Sequence, residues 1–166
     1  MSMIATNGYD TYDHDIEILY EITVKDKDGN ILEHVVKPSD TLVRNFWLGL
    51  GATLGPSFTV VNTNGTSVNI ANFVNSNAPA GDSAYGIQIG SNDTPHNFTQ
   101  YSLISLYAHS TSGFNYGALT INQPAYLDPP ANSLYGIRFI RSFTNASASS
   151  QTVREIGLVL RGDTGS

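Results

Sequence analysis

The side chains able to do chemistry are few and scattered. Four histidines, His14, His34, His96 and His109, share no His-x-x-x-His or similar spacing, so they do not suggest a metal-ligand pair on one helix face. No Gly-x-Ser-x-Gly turn is present to lift a serine into a triad. Nine of the fourteen carboxylates fall in the first 40 residues, and Asp82, Asp93, Asp128, Glu155 and Asp163 are isolated after them. A glycosidase needs two carboxyl groups held on either side of one bond. Here the early carboxylates alternate with strand residues or sit in a turn, as a solvated face does. Asp26-Lys27-Asp28-Gly29-Asn30 has the look of a calcium loop but lacks the distal bidentate glutamate. Gly49-Leu50-Gly51 reads as helix termination, not as part of a phosphate or dinucleotide loop. Cysteine is absent, which removes disulfides, thiol nucleophiles and thiolate metal sites. The reading is of a protein that is not an enzyme, with no catalytic, cofactor-binding or metal-binding residues and no cofactor.

Two short patterns concern recognition. Arg161-Gly162-Asp163 is the tripeptide that some adhesion ligands display, and Asn64, Asn92, Asn97 and Asn145 each begin an Asn-x-Ser/Thr sequon. Both arise easily by chance in a chain this rich in Asn, Ser and Thr. Nine tyrosines are many for 166 residues. They can stack on sugar rings, anchor an interface or fill a core.

The charge pattern says more than the net charge of −6. That acidic balance disfavours nucleic acid, whose phosphates need a basic footprint. Between Arg44 and Arg138 the only charged residues are Asp82, Asp93 and Asp128. Interface cores are depleted in charge and enriched in aromatic residues, so this span is the expected place for subunit contacts. No apolar run reaches the roughly 20 residues of a membrane helix, and the N-terminus has neither the basic nor the apolar block of a secretory signal. The expectation is a protein that touches no membrane and either stays where it is made or leaves by a route that needs no signal.

The positioning elements are mostly strands. Residues 1–14 read as a flexible arm, 15–162 as a single β-sandwich domain and 163–166 as a flexible tail. Ile16, Ile18, Tyr20, Ile22 and Val24 alternate with polar residues, and a turn at 26–30 returns the chain as 31–36, giving a hairpin. Ser39 or Asp40 can cap one short helix near residues 40–50, with Gly49 and Gly51 ending it. A second hairpin is expected around Asn64-Gly65, between 58–62 and 67–73. Further strands are expected at 85–90, 114–121, 134–143 and 152–160, with loops at 75–83 and 124–132 and an irregular segment at 101–108. Many short strands with frequent turns and one helix fit a β-sandwich of jelly-roll or Greek-key connection.

Two groups of motifs carry a resemblance. One is Ile22 to Asn30 followed by Ser39 to Phe46. The other is Tyr85-Gly86-Ile87-Gln88-Ile89-Gly90-Ser91-Asn92-Asp93, then Arg138-Phe139 to Phe143-Thr144-Asn145, then Val153-Arg154-Glu155-Ile156-Gly157-Leu158. In this order, over most of residues 16–160, they resemble structural proteins of tailed bacteriophages and archaeal viruses. The resemblance implies a virion structural protein, an external capsid-decorating or tail component. Its partners would be itself, as a homo-oligomer, and other virion proteins. It supplies no catalytic residues. Other readings of the same chain are a glycan- or host-receptor-binding module of a viral fibre and a subunit of a non-viral extracellular filament. The last two strands are expected to close the domain as a hairpin, with Glu155 facing Arg138 or Arg141 across the sheet.

Overall fold

The structure is a computed structural model, described here for residues 18–38, 44–54, 57–70, 72–74, 78–126 and 135–163. The chain divides into two units, residues 1–41 and 42–166. It is mostly β, with one short helix and small antiparallel sheets. The expected arm at 1–14, the cap at Ser39 or Asp40 and His14 lie outside the described residues, as does most of the expected tail.

The first unit contains β1 (Leu19–Lys25) and β2 (Ile31–Pro38), paired antiparallel. Tyr20, Ile22 and Val24 share a face with Val35, as the alternation requires. Between Val24↔Glu33 and Lys25↔Ile31 the register slips, leaving Leu32 as the extra residue of a β-bulge. The loop is built on Asp26, whose Oδ1 accepts the N–H groups of Asp28 and Asn30, each at 2.9 Å. Gly29 supplies the positive φ of 88°.

The second unit opens with α1 (Arg44–Leu54), followed by the hairpin of β3 (Phe58–Val61) and β4 (Ser67–Ile70). The helix runs four residues past the expected end, straight through Gly49 and Gly51. The reason is packing. A Cβ on Gly51 would come within 3.1 Å of the Phe58 ring, so glycine lets the helix lie close to β3. Leu48 and Ala52, four apart on one helix face, meet Phe58, Val60, Val68 and Ile70 in a small core. Asn45 adds a polar tie: its side chain donates to the Val61 carbonyl and accepts from the Val61 N–H. The 62–66 loop uses the same device as 26–30, with Asn62 Oδ1 accepting the N–H groups of Asn64 and Thr66. The Asn-Gly signal therefore belongs to a five-residue loop and not a two-residue turn.

The remaining strands are β5 (Asn72–Val74), β6 (Gly86–Gly90), β7 (Phe114–Tyr116), β8 (Thr120–Tyr126), β9 (Tyr135–Ile140), β10 (Phe143–Asn145), β11 (Glu155–Val159) and β12 (Arg161–Asp163). Their pairing is nested. β8 pairs with β9, β7 with β10, β6 with β11 and β5 with β12, all antiparallel. The described strands β5 to β12 are thus the two arms of one interrupted antiparallel ribbon. This corrects four expectations. The final strands pair with earlier strands and not with each other, because Asn145–Ser149 closes on itself: Asn145 donates to the Ser149 carbonyl and accepts the Ser147 N–H. The stretch 114–121 is broken at 117–119, and 134–143 is broken at 141–142. Residues 124–126, expected in a loop, end β8, with Pro124 at the register shift between Asn122 and Ala125, where a missing N–H is tolerated. The remaining part of that loop lies outside the described residues.

A second core gathers Ile89, Phe114 and Tyr116 with Tyr107, Phe143 and Ile156. The Tyr116 ring meets Phe143 edge-on at 4.8 Å, and Phe114 meets Tyr107 at 4.9 Å.

Candidate functional site

Two buried polar centres organise the ribbon. Arg141 occupies the break between β9 and β10, where no ladder partner competes for its side chain. All five guanidinium N–H groups find carbonyl oxygens: Nε on Gly117 at 2.9 Å, Nη1 on Tyr85 and Ile87 at 3.0 and 3.1 Å, and Nη2 on Pro79 at 3.3 Å and on Asp82. Burial lowers its pKa below the usual guanidinium range, and Tyr116 and Asp82 oppose that shift. The cation lies over the fully buried Tyr116 ring. The Tyr116 hydroxyl donates to the Tyr107 carbonyl at 2.6 Å and accepts the Ile89 N–H at 3.3 Å. Burial raises its pKa above the ordinary 10.0. With every donor engaged, Arg141 is a clasp that joins carbonyls of the 79–87 segment to the break between β7 and β8.

Glu155 is the second centre. It opens β11 directly opposite Gly90, which ends β6. A Cβ on Gly90 would lie 2.7 Å from the Glu155 carboxylate and 2.6 Å from the Ser105 carbonyl, so glycine leaves the space in which the acid is buried. The carboxylate accepts the N–H groups of Ile104 and Ser105 at 2.9 and 3.3 Å, and the Gln100 amide lies at 3.5 Å. His96 Nε2 is 3.9 Å away. The expected pairing of Glu155 with Arg138 or Arg141 does not occur, because the acid serves backbone N–H groups and Arg141 serves carbonyls. With its side chain 1% exposed, Glu155 is closed to a solute. Beside it lies an open cleft of about 280 Å³ lined by Asn97, Thr99, Gln100, Tyr101, Ser102 and Ile104.

The other chemistry-bearing residues are placed apart. His34 reaches Glu21 at 3.0 Å on the first hairpin. His109 accepts the Tyr116 N–H through Nδ1. Asp26 ties its own loop, and its hydrogen bonds, that from the Asn30 side chain foremost, hold its pKa below the ordinary 3.8. Arg161, Gly162 and Asp163 form β12 and pair with β5, so the tripeptide is strand and not a loop tip. Gly162 is there for packing, since a Cβ would lie 2.6 Å from Ile70 Cγ2. Three sequon asparagines, Asn92, Asn97 and Asn145, accept the N–H of the residue two along. In these sequons the Asn-x-Ser/Thr pattern is the sequence of an Asx-turn. Among the described residues no group of three or more His, Asp or Glu side chains converges as metal ligands do, and no helix is long and apolar enough to cross a membrane.

What the charge-poor span does present is apolar surface. Trp47, Phe98, Tyr101, Ile104, Leu106 and Ile137 all lie between Arg44 and Arg138, and each is at least 40% exposed. Phe98, Tyr101, Ile104 and Leu106 belong to the irregular segment that Glu155 holds down. The dependence on Glu155 was not legible, because 50 residues separate the acid from Ser105. No protein-family model matches the chain, and no curated protein or solved structure matches it significantly.

Proposed function

We propose that the protein is a virion structural component, an external capsid-decorating or tail protein that self-associates, built as a jelly-roll β-sandwich. The observation that carries the assembly reading is the apolar surface just described. Among the described residues, six large apolar side chains face solvent in the span 45–137, whose 93 residues hold three charges. A lone protein in solution gains from mixed surface charge, whereas a surface met by another protein is served by its absence. The nested pairing supports the sandwich, since a long antiparallel ribbon that curls lays its strand pairs into two facing sheets. Jelly rolls occur in capsids and in lectins, so that architecture favours the virion reading without selecting it alone. The resemblance of the 85–93, 138–145 and 153–158 motifs to phage and archaeal-virus structural proteins makes the selection.

Light scattering of the purified chain is the direct test. A mass of two or more chains of 17.9 kDa supports the proposal, and a monomer at every concentration overturns it. Peptides of the chain in purified virus particles support the virion role, and particles lacking it argue against that role.

The cleft beside Glu155 favours a second reading, glycan binding. It sets the exposed Tyr101 ring beside the amides of Asn97 and Gln100. A glycan array that retains the wild-type chain but not Tyr101→Ala supports it.

A further inference from the structure

The free edge of β2 has a symmetry of its own. Among the described residues β1 and β2 hydrogen-bond only to each other. A two-stranded hairpin is marginal in water, and three or more strands are needed for independent stability. An unpaired edge is also a template for another strand. The regular part of β2 is short: the bulge at Leu32 ends it on one side and Pro38, which has no N–H, on the other. Between them lie Glu33, His34, Val35, Val36 and Lys37, with Val35 at the centre. If β2 of a second copy runs antiparallel about a two-fold axis at Val35, Val35 faces Val35 and His34 faces Val36. Glu33 then faces Lys37 of the second copy, twice by symmetry. Shifting the register by one residue either way sets both charges opposite uncharged residues or Pro38. Neither Glu33 nor Lys37 makes an ion pair within the described chain. The edge of β1 is less suited, because Glu21 is already engaged by His34 at 3.0 Å.

We infer that two copies of this chain join through their β2 edges, in the single antiparallel register centred on Val35, to make a four-stranded sheet in the order β1-β2-β2-β1. Such an interface is isologous and closed, which suits a dimeric building block. It adds Ile22, Val24 and Val35 of both copies to one continuous face. The inference rests on the self-association proposed above and specifies its contact.

The absence of cysteine makes the test clean. Opposed residues of an antiparallel pair have Cα atoms roughly 4.5–5.5 Å apart, within disulfide range. Under mild oxidation of the full chain, Val35→Cys is expected to give a disulfide-linked dimer in high yield, and Thr23→Cys on β1 is not. Glu33→Lys and Lys37→Glu, each alone, are expected to weaken dimerisation at least tenfold at low salt. The double exchange is expected to restore it, which a mere folding defect in either single variant would not allow. An oligomer that forms no disulfide at Val35→Cys and ignores both charge reversals overturns the inference and leaves the assembly reading standing. Disulfide formation by Thr23→Cys in place of Val35→Cys also overturns it. A chain that is monomeric throughout overturns both.

Discussion

The guanidinium of Arg141 sits 4.7 Å from the centroid of the Tyr116 ring, and both side chains are buried between the same strands. The arginine ends on five carbonyls and the tyrosine hydroxyl on a sixth. The pair therefore satisfies backbone carbonyls at the breaks of the ribbon and one, of Ile87, on β6. Replacing Arg141 with Met keeps most of the volume and strips all five donors. Leaving buried carbonyls unpaired is costly, and a loss of about 3 kcal/mol is expected, read as a lower urea midpoint with an unchanged slope. Lysine, with three donors and no planar fork, is expected to recover only part of it.

Tyr116 makes stability depend on pH at the alkaline end. Burial raises its folded-state pKa above 10.0. The neutral hydroxyl is the form the fold prefers, so its contribution is complete below the unfolded value. It is lost as pH rises through the folded one. Urea titrations from pH 9 upward are expected to show falling stability in the wild type. Tyr116→Phe is expected to lose about 1 kcal/mol at neutral pH and to fall less steeply above pH 10.

Gly162 tests whether Arg161-Gly162-Asp163 is an adhesion motif or a strand packed on Ile70. Gly162→Ala is expected to cost about 2 kcal/mol, as overpacking does. The same substitution is expected to cost less in an Ile70→Ala background, because the clashing methyl is gone. Additive effects in that cycle would leave the packing account without support.

Glu155 is expected to control the apolar segment without touching a partner. Glu155→Gln keeps the shape but turns an amide N–H toward the donors at Ile104 and Ser105. A loss of about 2 kcal/mol is expected, with faster hydrogen exchange at those two amides than at β8 or β9. If assembly uses Phe98, Tyr101 and Ile104, the same variant is expected to weaken self-association.

Asp26 offers a local check at acid pH. Its carboxylate is fully exposed yet holds its loop through three hydrogen bonds, from the N–H groups of Asp28 and Asn30 and from the Asn30 side chain. The Gly29 N–H donates instead to the Asp26 backbone carbonyl. A lowered folded pKa means that the loop contribution is present above the unfolded value and is lost as pH falls through the folded one. Carbon-13 titration is expected to place Asp26 below the ordinary 3.8, and Asn30→Ala to raise it.

Local chemistry in the sequence settled the parts that need only neighbours. Alternation at 20–24, the glycine-bearing loops at 26–30 and 62–66 and the glycines flanking Ile87-Gln88-Ile89 all announce strands and turns from residues a few places apart. The same locality misled at the closing stretch. Asn145 to Ser149 looks like a hairpin turn, but it is a self-contained loop, and its strands answer β7 and β6 from far upstream. Helix termination at Gly49 and Gly51 was a sound local expectation, overturned by Phe58 pressing where a Cβ would be. The two buried charges show the limit most plainly. Arg141 and Glu155 look like a pair of opposite sign awaiting each other. Which acceptor a buried charge finds depends on which unpaired backbone groups the fold leaves within hydrogen-bond reach. Those groups, five carbonyls for one and two N–H groups for the other, lie mostly where the nested ribbon breaks its ladder. The residue types and their charge-poor span were in the sequence, whereas the partners that hold them came from long-range pairing that no short spacing encodes.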